Sequence, residues 1–299
     1  MLARSRPALA VGAAAVAVVL LAGCGGSSAR TTDAPVISVA TGLWPLAEAA
    51  EVIGQANVHV VDVVPAGVDP SGYHLTSAQA AQVKSADVVV DVAGSFQTSF
   101  DAAAAGARHQ VTVEPVGSNP YVWLNPHTME AVASQIATTL EAADPKARST
   151  MQNGLENFQA QLDALDDDYQ STLSACPDVK LVTVNDAFGI LHPRYQVTDT
   201  PIAPAGSTGL PTKATTAYEV KVIRSTGAKE IYNESWIPQS DFFTATALTG
   251  VKVQTLDTLA GAPQGGWKLD SDGKKYVSLM ETNLGTISSA LRCPNPDTD

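Results

Sequence analysis

The sequence predicts an α/β protein of two lobes, each a mostly parallel sheet with flanking helices, joined by one long rigid helix. Its 299 residues are enough for two lobes of ordinary domain size. Short β-rich runs alternate with stretches of helical length, which is typical of parallel βα units. One amphipathic segment in the middle of the chain is longer than a usual crossover helix.

The first lobe is expected at residues 36–143. Four short apolar runs in it predict strands, and each is followed by an Ala-rich or amphipathic stretch of helical length. These runs are 36–41, 59–64, 88–92 and 111–113. Such a succession favours a parallel sheet.

The long linking helix is expected at residues 144–176, opening at Asp144-Pro145. Apolar side chains recur in it at spacings of three and four residues, the pattern of one amphipathic helix. They are Met151, Leu155, Phe158, Leu162, Leu165 and Tyr169. The acidic run 166–168 within it predicts a solvated helix face.

The second lobe is expected at 177–293, followed by a tail at 294–299. A helix is predicted at 219–225, and a loop rich in Pro, Gly, Ser and Thr at 201–212. The βα rhythm otherwise resumes at 181–184, 230–233, 241–248 and 251–256.

The N-terminus predicts a signal peptide at 1–23. Arg4 and Arg6 precede an apolar run at 8–22, about 22 Å long as a helix and therefore short of a bilayer core of about 30 Å. The following Leu-Ala-Gly-Cys24 resembles a bacterial lipobox, which implies cleavage before Cys24 and lipid on its thiol. The alternative is an ordinary cleaved signal with a chance cysteine. Residues 24–35 predict a flexible tether, so we expect an extracytoplasmic protein anchored to the cell membrane.

Composition excludes two classes of protein. The net charge of -12 has the wrong sign for binding nucleic acid or an anionic lipid surface. A hydrophobic fraction of 45% excludes a disordered chain.

Two cysteines remain in the body of the chain. Outside the cytoplasm, Cys176 and Cys293 are expected to form a disulfide, with two free buried thiols as the alternative. Neither belongs to a C-x-x-C pair, so redox catalysis and a thiolate zinc site have no support. The sequence also lacks a G-x-S-x-G motif, a P-loop lysine and a glycine fingerprint, and no enzyme activity is expected.

Several motifs, in order along the chain, resemble the solute receptors of zinc and manganese ABC importers. The resemblance covers roughly residues 36–293 and implies two α/β lobes, a metal held in the cleft between them, and delivery to an ABC permease in the membrane. The motifs are Pro-Ala-Gly-Val-Asp-Pro-Ser-Gly-Tyr73, Ser-Ala-Asp-Val-Val-Val90, Pro-Tyr-Val-Trp-Leu-Asn-Pro126, Asp-Ala-Phe-Gly189, Ile-Tyr-Asn-Glu234, Leu-Asp-Thr-Leu259 and Tyr-Val-Ser-Leu-Met280.

The resemblance also assigns the positions of the metal ligands. In the family they hold two histidines, a His or Glu, and an acidic residue near the end. Here the same positions hold Ser71, Tyr121, Asn185 and Asp257. Only Asp257 is a good zinc ligand, since zinc prefers imidazole, thiolate or carboxylate. We therefore expect zinc or manganese as the transported ligand, bound weakly or not at all, and no other cofactor.

Two further residues are candidate ligands. His74 lies in a loop near the cleft, with an ordinary surface histidine as the alternative. Glu234 follows a predicted strand, at the sheet edge where α/β proteins place binding groups. Its alternative is a carboxylate bonded to the backbone or paired with a base.

Aromatic residues suggest a different solute. Trp44, Trp123 and Trp236, together with Ser71, are candidate ligand-binding residues at the cleft, although lobe packing explains aromatic residues equally well. A cleft of hydroxyl, amide and aromatic groups suits a small organic solute. A surface adhesion or interaction protein that keeps the fold is the remaining alternative. We expect a monomer.

Overall fold

The computed structural model describes residues 36–94, 96–176, 179–203, 215–262 and 274–290. The predicted signal peptide (1–23), tether (24–35) and tail (294–299) lie outside these residues, as do Cys24 and Cys293. None of the described helices combines the length and the apolar character needed to cross a membrane.

The prediction of an α/β protein with two parallel sheets is confirmed. Within the described residues, the first sheet has the order β2-β1-β3-β4 and the second β6-β5-β7-β8, with all pairs parallel. The strands are β1 (Ile37–Thr41), β2 (Val58–Asp62), β3 (Val88–Val92), β4 (His109–Val113), β5 (Lys180–Thr183), β6 (Thr198–Pro201), β7 (Glu230–Asn233) and β8 (Lys252–Thr255). In both sheets the chain starts on an inner strand and visits each side in turn, so ligand-binding loops are expected at the carboxyl ends of the strands.

Helices connect the strands and cover the sheets. They are α1 (Trp44–Gly54), α2 (Ser77–Ser85), α3 (Thr98–Ala104), α4 (Pro126–Ala143), α5 (Arg148–Ser174), α6 (His192–Tyr195), α7 (Thr216–Thr226), α8 (Phe243–Thr249) and α9 (Lys274–Ala290). Single 3-10 turns occur at Gln55–Asn57, Val122–Leu124, Phe188–Leu191 and Gln239–Phe242. All five residues of β3 are buried, as expected for a central strand of a parallel sheet covered on both faces.

The long helix α5 starts later than the sequence predicts. Asp144 ends α4, and its carboxylate accepts a hydrogen bond from the Lys146 backbone N–H at 3.0 Å, which forms a turn. Because the residue before a proline is disfavoured in the α region, the chain cannot continue as a helix through Asp144-Pro145. The apolar face is as predicted, and Gly154 brings α5 so close to α1 that a Cβ would lie 2.5 Å from the Ile53 carbonyl oxygen.

The predicted solvated face at 166–168 is wrong for Asp166. This residue is 5% exposed and accepts hydrogen bonds from the guanidinium of Arg194, one of them at 2.5 Å from Nε, and from the Tyr195 hydroxyl. Burial alone would raise the pKa of Asp166, but the hydrogen bonds from Arg194 and Tyr195 hold it below its usual value. Asp166 therefore ties the long helix to α6 of the second lobe.

Cys176 lies two residues after the end of α5 and is disulfide-bonded. Its pairing with Cys293 stays a prediction, because Cys293 lies outside the described residues.

Candidate functional site

The polar residues that the sequence predicts for the cleft come from separate loops. Four of these loops follow parallel strands at their carboxyl ends, and the fifth precedes α4. They carry Ser71 after β2, Tyr121 before the Val122–Leu124 turn, Asn185 after β5, Glu234 after β7 and Asp257 after β8.

Glu234 is 4% exposed and is hydrogen-bonded to one other member of this set, Asn185. Its Oε1 accepts a hydrogen bond from Asn185 Nδ2 at 3.1 Å, and its Oε2 accepts from Thr258 N at 3.1 Å and Thr258 Oγ1 at 2.8 Å. Burial, with a further contribution from the charge of Asp257, raises the pKa of Glu234 to about 8. Both carboxyl oxygens are therefore engaged by protein donors, one of which is a backbone N–H.

Asp257 is held through its backbone and its side chain. Its N–H donates to Asn283 Oδ1 at 3.2 Å, and its carbonyl oxygen accepts from Asn283 Nδ2 at 2.7 Å. Its Oδ1 accepts from Leu259 N at 2.8 Å. The buried Asn283 of α9 thus fixes the segment after β8, a role that the sequence analysis missed.

Ser71 is engaged by a neighbour that the sequence analysis also missed. Its N–H and its hydroxyl donate to the two carboxylate oxygens of Asp69, at 2.8 and 2.7 Å. Burial raises the pKa of Asp69, although the hydrogen bonds from Ser71 act in the opposite direction. The position that holds a histidine in the resembling receptors here belongs to an Asp-Ser turn.

Tyr121 packs in an aromatic cluster with Phe96 and Trp123, at ring-centroid distances of 5.3 and 5.5 Å. Burial, together with the negative charges of Glu234 and Asp69, raises the pKa of Tyr121. Its phenol is therefore protonated at neutral pH and is a poor metal ligand in that state.

Among the remaining candidates, Trp123 contacts this set, because its ring packs on Tyr121 and its Nε1 donates a hydrogen bond to Thr258 O at 2.7 Å. His74 is exposed in the loop before α2, which agrees with the alternative that it is an ordinary surface histidine. Trp44 and Trp123 are 1% and 0% exposed, so in this conformation they offer almost no surface to a solute. Trp236 is partly buried against the core of the second lobe. These tryptophans act in packing.

The segment 256–262 after β8 joins the two lobes beside the cleft. Ala260 O accepts from Trp44 N at 3.0 Å, and Ala262 O accepts from Gly67 N at 2.8 Å. At Gly261 a Cβ would lie 2.7 Å from the Val68 carbonyl oxygen, so only glycine allows this approach. The second lobe is therefore attached directly to loops of the first.

The donor set of this cleft is dominated by oxygen. Among the described residues, no group of three or more His, Cys, Asp or Glu side chains is arranged to hold a metal ion. Two lobes with parallel sheets, with polar residues collected where the strands end, have the architecture of a solute-binding receptor.

The comparison with protein families identifies the kind of receptor. The sequence model of ZnuA, the periplasmic component A of the zinc-uptake complex, matches residues 39–290, and the chain belongs to this family. This is a family of solute-binding components of ABC importers, so the expectation of a binding protein rather than an enzyme is confirmed. The assignment supports the metal-importer interpretation and not an organic-solute receptor or an adhesion protein.

Individual relatives are similar over almost their full length. The high-affinity zinc uptake system protein ZnuA of Bacillus subtilis is 24% identical over 307 residues, covering 93% of this chain and 95% of the relative. The solved structure of the periplasmic zinc-binding protein TroA from Treponema pallidum has a TM-score of 0.72 at 21% identity, covering 86% of this chain and 99% of TroA. The Zn(II)-bound ZnuA-like domain of Streptococcus pneumoniae AdcA has a TM-score of 0.69 at 22% identity, covering 86% and 99%.

Proposed function

We propose that this chain is the extracytoplasmic, lipid-anchored solute-binding component of an ABC importer of metal-ion type, and that its cleft has low affinity for zinc and manganese. It acts as a monomer, is attached to the membrane through Cys24, and delivers its solute to an ABC permease. Relatives named as lipoproteins of metal ABC transporters support the anchor and the permease, such as the substrate-binding lipoprotein of Lactococcus lactis.

The low affinity rests on one observation: the donors of the cleft are oxygen-rich and already bonded to the protein. Glu234 accepts from Asn185 and Thr258 through both oxygens, and the Ser71 hydroxyl donates to Asp69. A zinc ion would have to displace these donors and would find no imidazole or thiolate among the predicted cleft residues other than His74. Asp257, with one oxygen on Leu259 N, is the best remaining ligand.

Calorimetric titration of the chelator-stripped chain from Ala34 onward, with zinc and with manganese at neutral pH, tests this function. We expect a dissociation constant weaker than about 1 µM, equivalent to a binding free energy smaller than about 8 kcal/mol in magnitude. Asp257→Ala should abolish the remaining binding, and His74→Ala should leave it unchanged.

Two results would contradict the proposal. A sub-micromolar dissociation constant would show that the cleft has rebuilt a strong metal site and would refute the low affinity. Absence of binding with both metals at millimolar concentration would refute zinc and manganese as the solute.

A further inference from the structure

A second group of carboxylates lies in the first lobe, apart from the cleft residues. Asp91 belongs to β3 and shares a sheet face with Val89, which packs with Phe100 and Ala103 of α3. Asp101 belongs to α3 itself. The charge of Asp101 acts on Asp91, so the two carboxyl groups lie near each other where this helix covers the central strand.

Each of these carboxyl groups has a buried oxygen without a protein donor. Asp91 is 5% exposed, and its Oδ2 accepts a hydrogen bond from Gln110 Nε2 at 3.1 Å. The Oδ1 atoms of Asp91 and Asp101 are both buried and find no hydrogen-bond donor among the described residues. Nearly all buried polar atoms in folded proteins are paired, so two such oxygens in one place require an explanation.

The negative charges of the two carboxyl groups are not balanced by a nearby positive charge among the described residues. Burial raises the pKa of Asp91, and the negative charge of Asp101 raises it further. Burial also raises the pKa of Asp101. Among the described residues, no basic side chain contributes to the pKa shift of either group, whereas buried carboxylates normally have a cationic partner or a metal ion.

We propose that Asp91 and Asp101 hold a divalent hard cation, Mg²⁺ or Ca²⁺, in a site of the first lobe that is separate from the solute cleft. The unpartnered Oδ1 atoms supply two anionic oxygens. Thr112 and Gln110 of the edge strand β4 hydrogen-bond the Asp91 carboxyl, Gln110 through its Nε2, and so position it.

This donor set suits hard ions, which bind through one or two carboxylates and complete their shell with water. It does not suit zinc, for which the site lacks nitrogen and sulfur ligands. Gln110 and Thr112 are exposed, so an ion and its water ligands reach the site from solvent. Extracellular calcium sites typically have dissociation constants of about 0.1 to 1 mM, and we expect this range here.

Thermal unfolding of the chelator-treated chain from Ala34 onward tests the site. Addition of 10 mM CaCl₂ or MgCl₂ at about pH 7.5 and constant ionic strength should raise the Tm by about 2 to 5 °C. Asp101→Asn should remove this shift and should not lower the Tm measured in chelator, because it also removes the repulsion between the two carboxylates. Asp257→Ala, in the cleft, should keep the full shift.

A milder variant and a direct calcium titration keep the test valid if Asp101→Asn fails to fold. Thr112→Val keeps both carboxylates and should reduce the shift without abolishing it, and calcium titration should show one site that Asp101→Asn loses. An equal cation shift in Asp101→Asn would overturn the proposal. A second result would also overturn it: a Tm that neither cation changes, but that rises on acidification to about pH 5.5 in the parent chain and not in Asp101→Asn. A proton shared by the two carboxyl groups would then explain the pair.

Discussion

Asp199 in β6 offers a sharp test of how a buried carboxyl group is charged in this protein. Its Oδ1 lies 2.5 Å from Thr183 Oγ1, and its Oδ2 accepts from Phe188 N at 3.2 Å. The same Thr183 hydroxyl lies 2.5 Å from the Asn185 carbonyl oxygen. One hydroxyl has one proton, so both short contacts are hydrogen bonds only when Asp199 is itself protonated and donates to Thr183.

The pKa of Asp199 gives the size of the effect. Burial, with a contribution from the charge of Asp186, raises this pKa from 3.8 to about 8. A raised folded-state pKa means that the folded chain holds the proton more tightly than the unfolded chain. The stabilisation is therefore complete below pH 3.8 and is lost at about 1.4 kcal/mol per pH unit until about pH 8. Between about pH 5.5 and 7.5 the loss is about 3 kcal/mol.

The substitution Asp199→Asn isolates this contribution. Its amide can donate to Thr183 Oγ1 and its carbonyl oxygen can accept from Phe188 N, as the neutral acid does. The free energy of unfolding is measured in urea at about pH 5.5 and about pH 7.5 in both chains. We expect the decrease from the lower to the higher pH to be smaller by about 3 kcal/mol in the variant than in the parent chain. The raised pKa of Glu234 is common to both chains and cancels. Equal losses in the two chains would refute a protonated Asp199.

Two further predictions concern contacts that hold the two lobes together. Arg194→Ala leaves Asp166 buried without its cationic partner and should lower the free energy of unfolding by about 3 kcal/mol. Adding Asp166→Asn should recover part of this loss, and a loss below about 0.5 kcal/mol in Arg194→Ala would contradict the role of the pair. Gly261→Ala places a Cβ 2.7 Å from the Val68 carbonyl oxygen and should lower stability by about 1 to 3 kcal/mol, measured by thermal unfolding. The matched Gly285→Ala in α9, where a Cβ meets nothing within 4 Å, should not lower stability. Equal Tm values for the two variants would show that the segment after β8 adjusts to the added methyl group without cost.

Much of the fold could be predicted because its signals are local. Four of the five residues of β3 are valines, which favours a strand buried on both faces, and the three- and four-residue spacing of α5 defines one buried stripe. Asp-Pro is typical of a helix start and therefore predicts α5 from Asp144, but in the structure Asp144 ends α4 and α5 begins at Arg148.

The loops that carry the candidate site could be predicted from the sequence, but the hydrogen bonds within them could not. Motif order predicts Ser71, Tyr121, Asn185 and Asp257 at the cleft. The structure places Ser71, Asn185 and Asp257 in loops after strands, and it hydrogen-bonds Asn185 to Glu234. The sequence could not show that Asn283, 26 residues beyond Asp257, holds the segment after β8. No spacing rule relates two residues in a loop and a helix so far apart in the chain.

The α/β class, the long helix, the family motifs and the replacement of the imidazole ligands can all be read from the sequence, since each depends on residue type and on neighbours within one element. Which carboxyl groups are buried, and what they contact, depends on tertiary packing. Asp166 and Asp167 are adjacent in the same acidic run, yet the first is buried against Arg194 and the second is exposed. Charge and hydrogen bonding at such groups depend on atoms brought together from distant parts of the chain, and therefore on the packing of the two lobes.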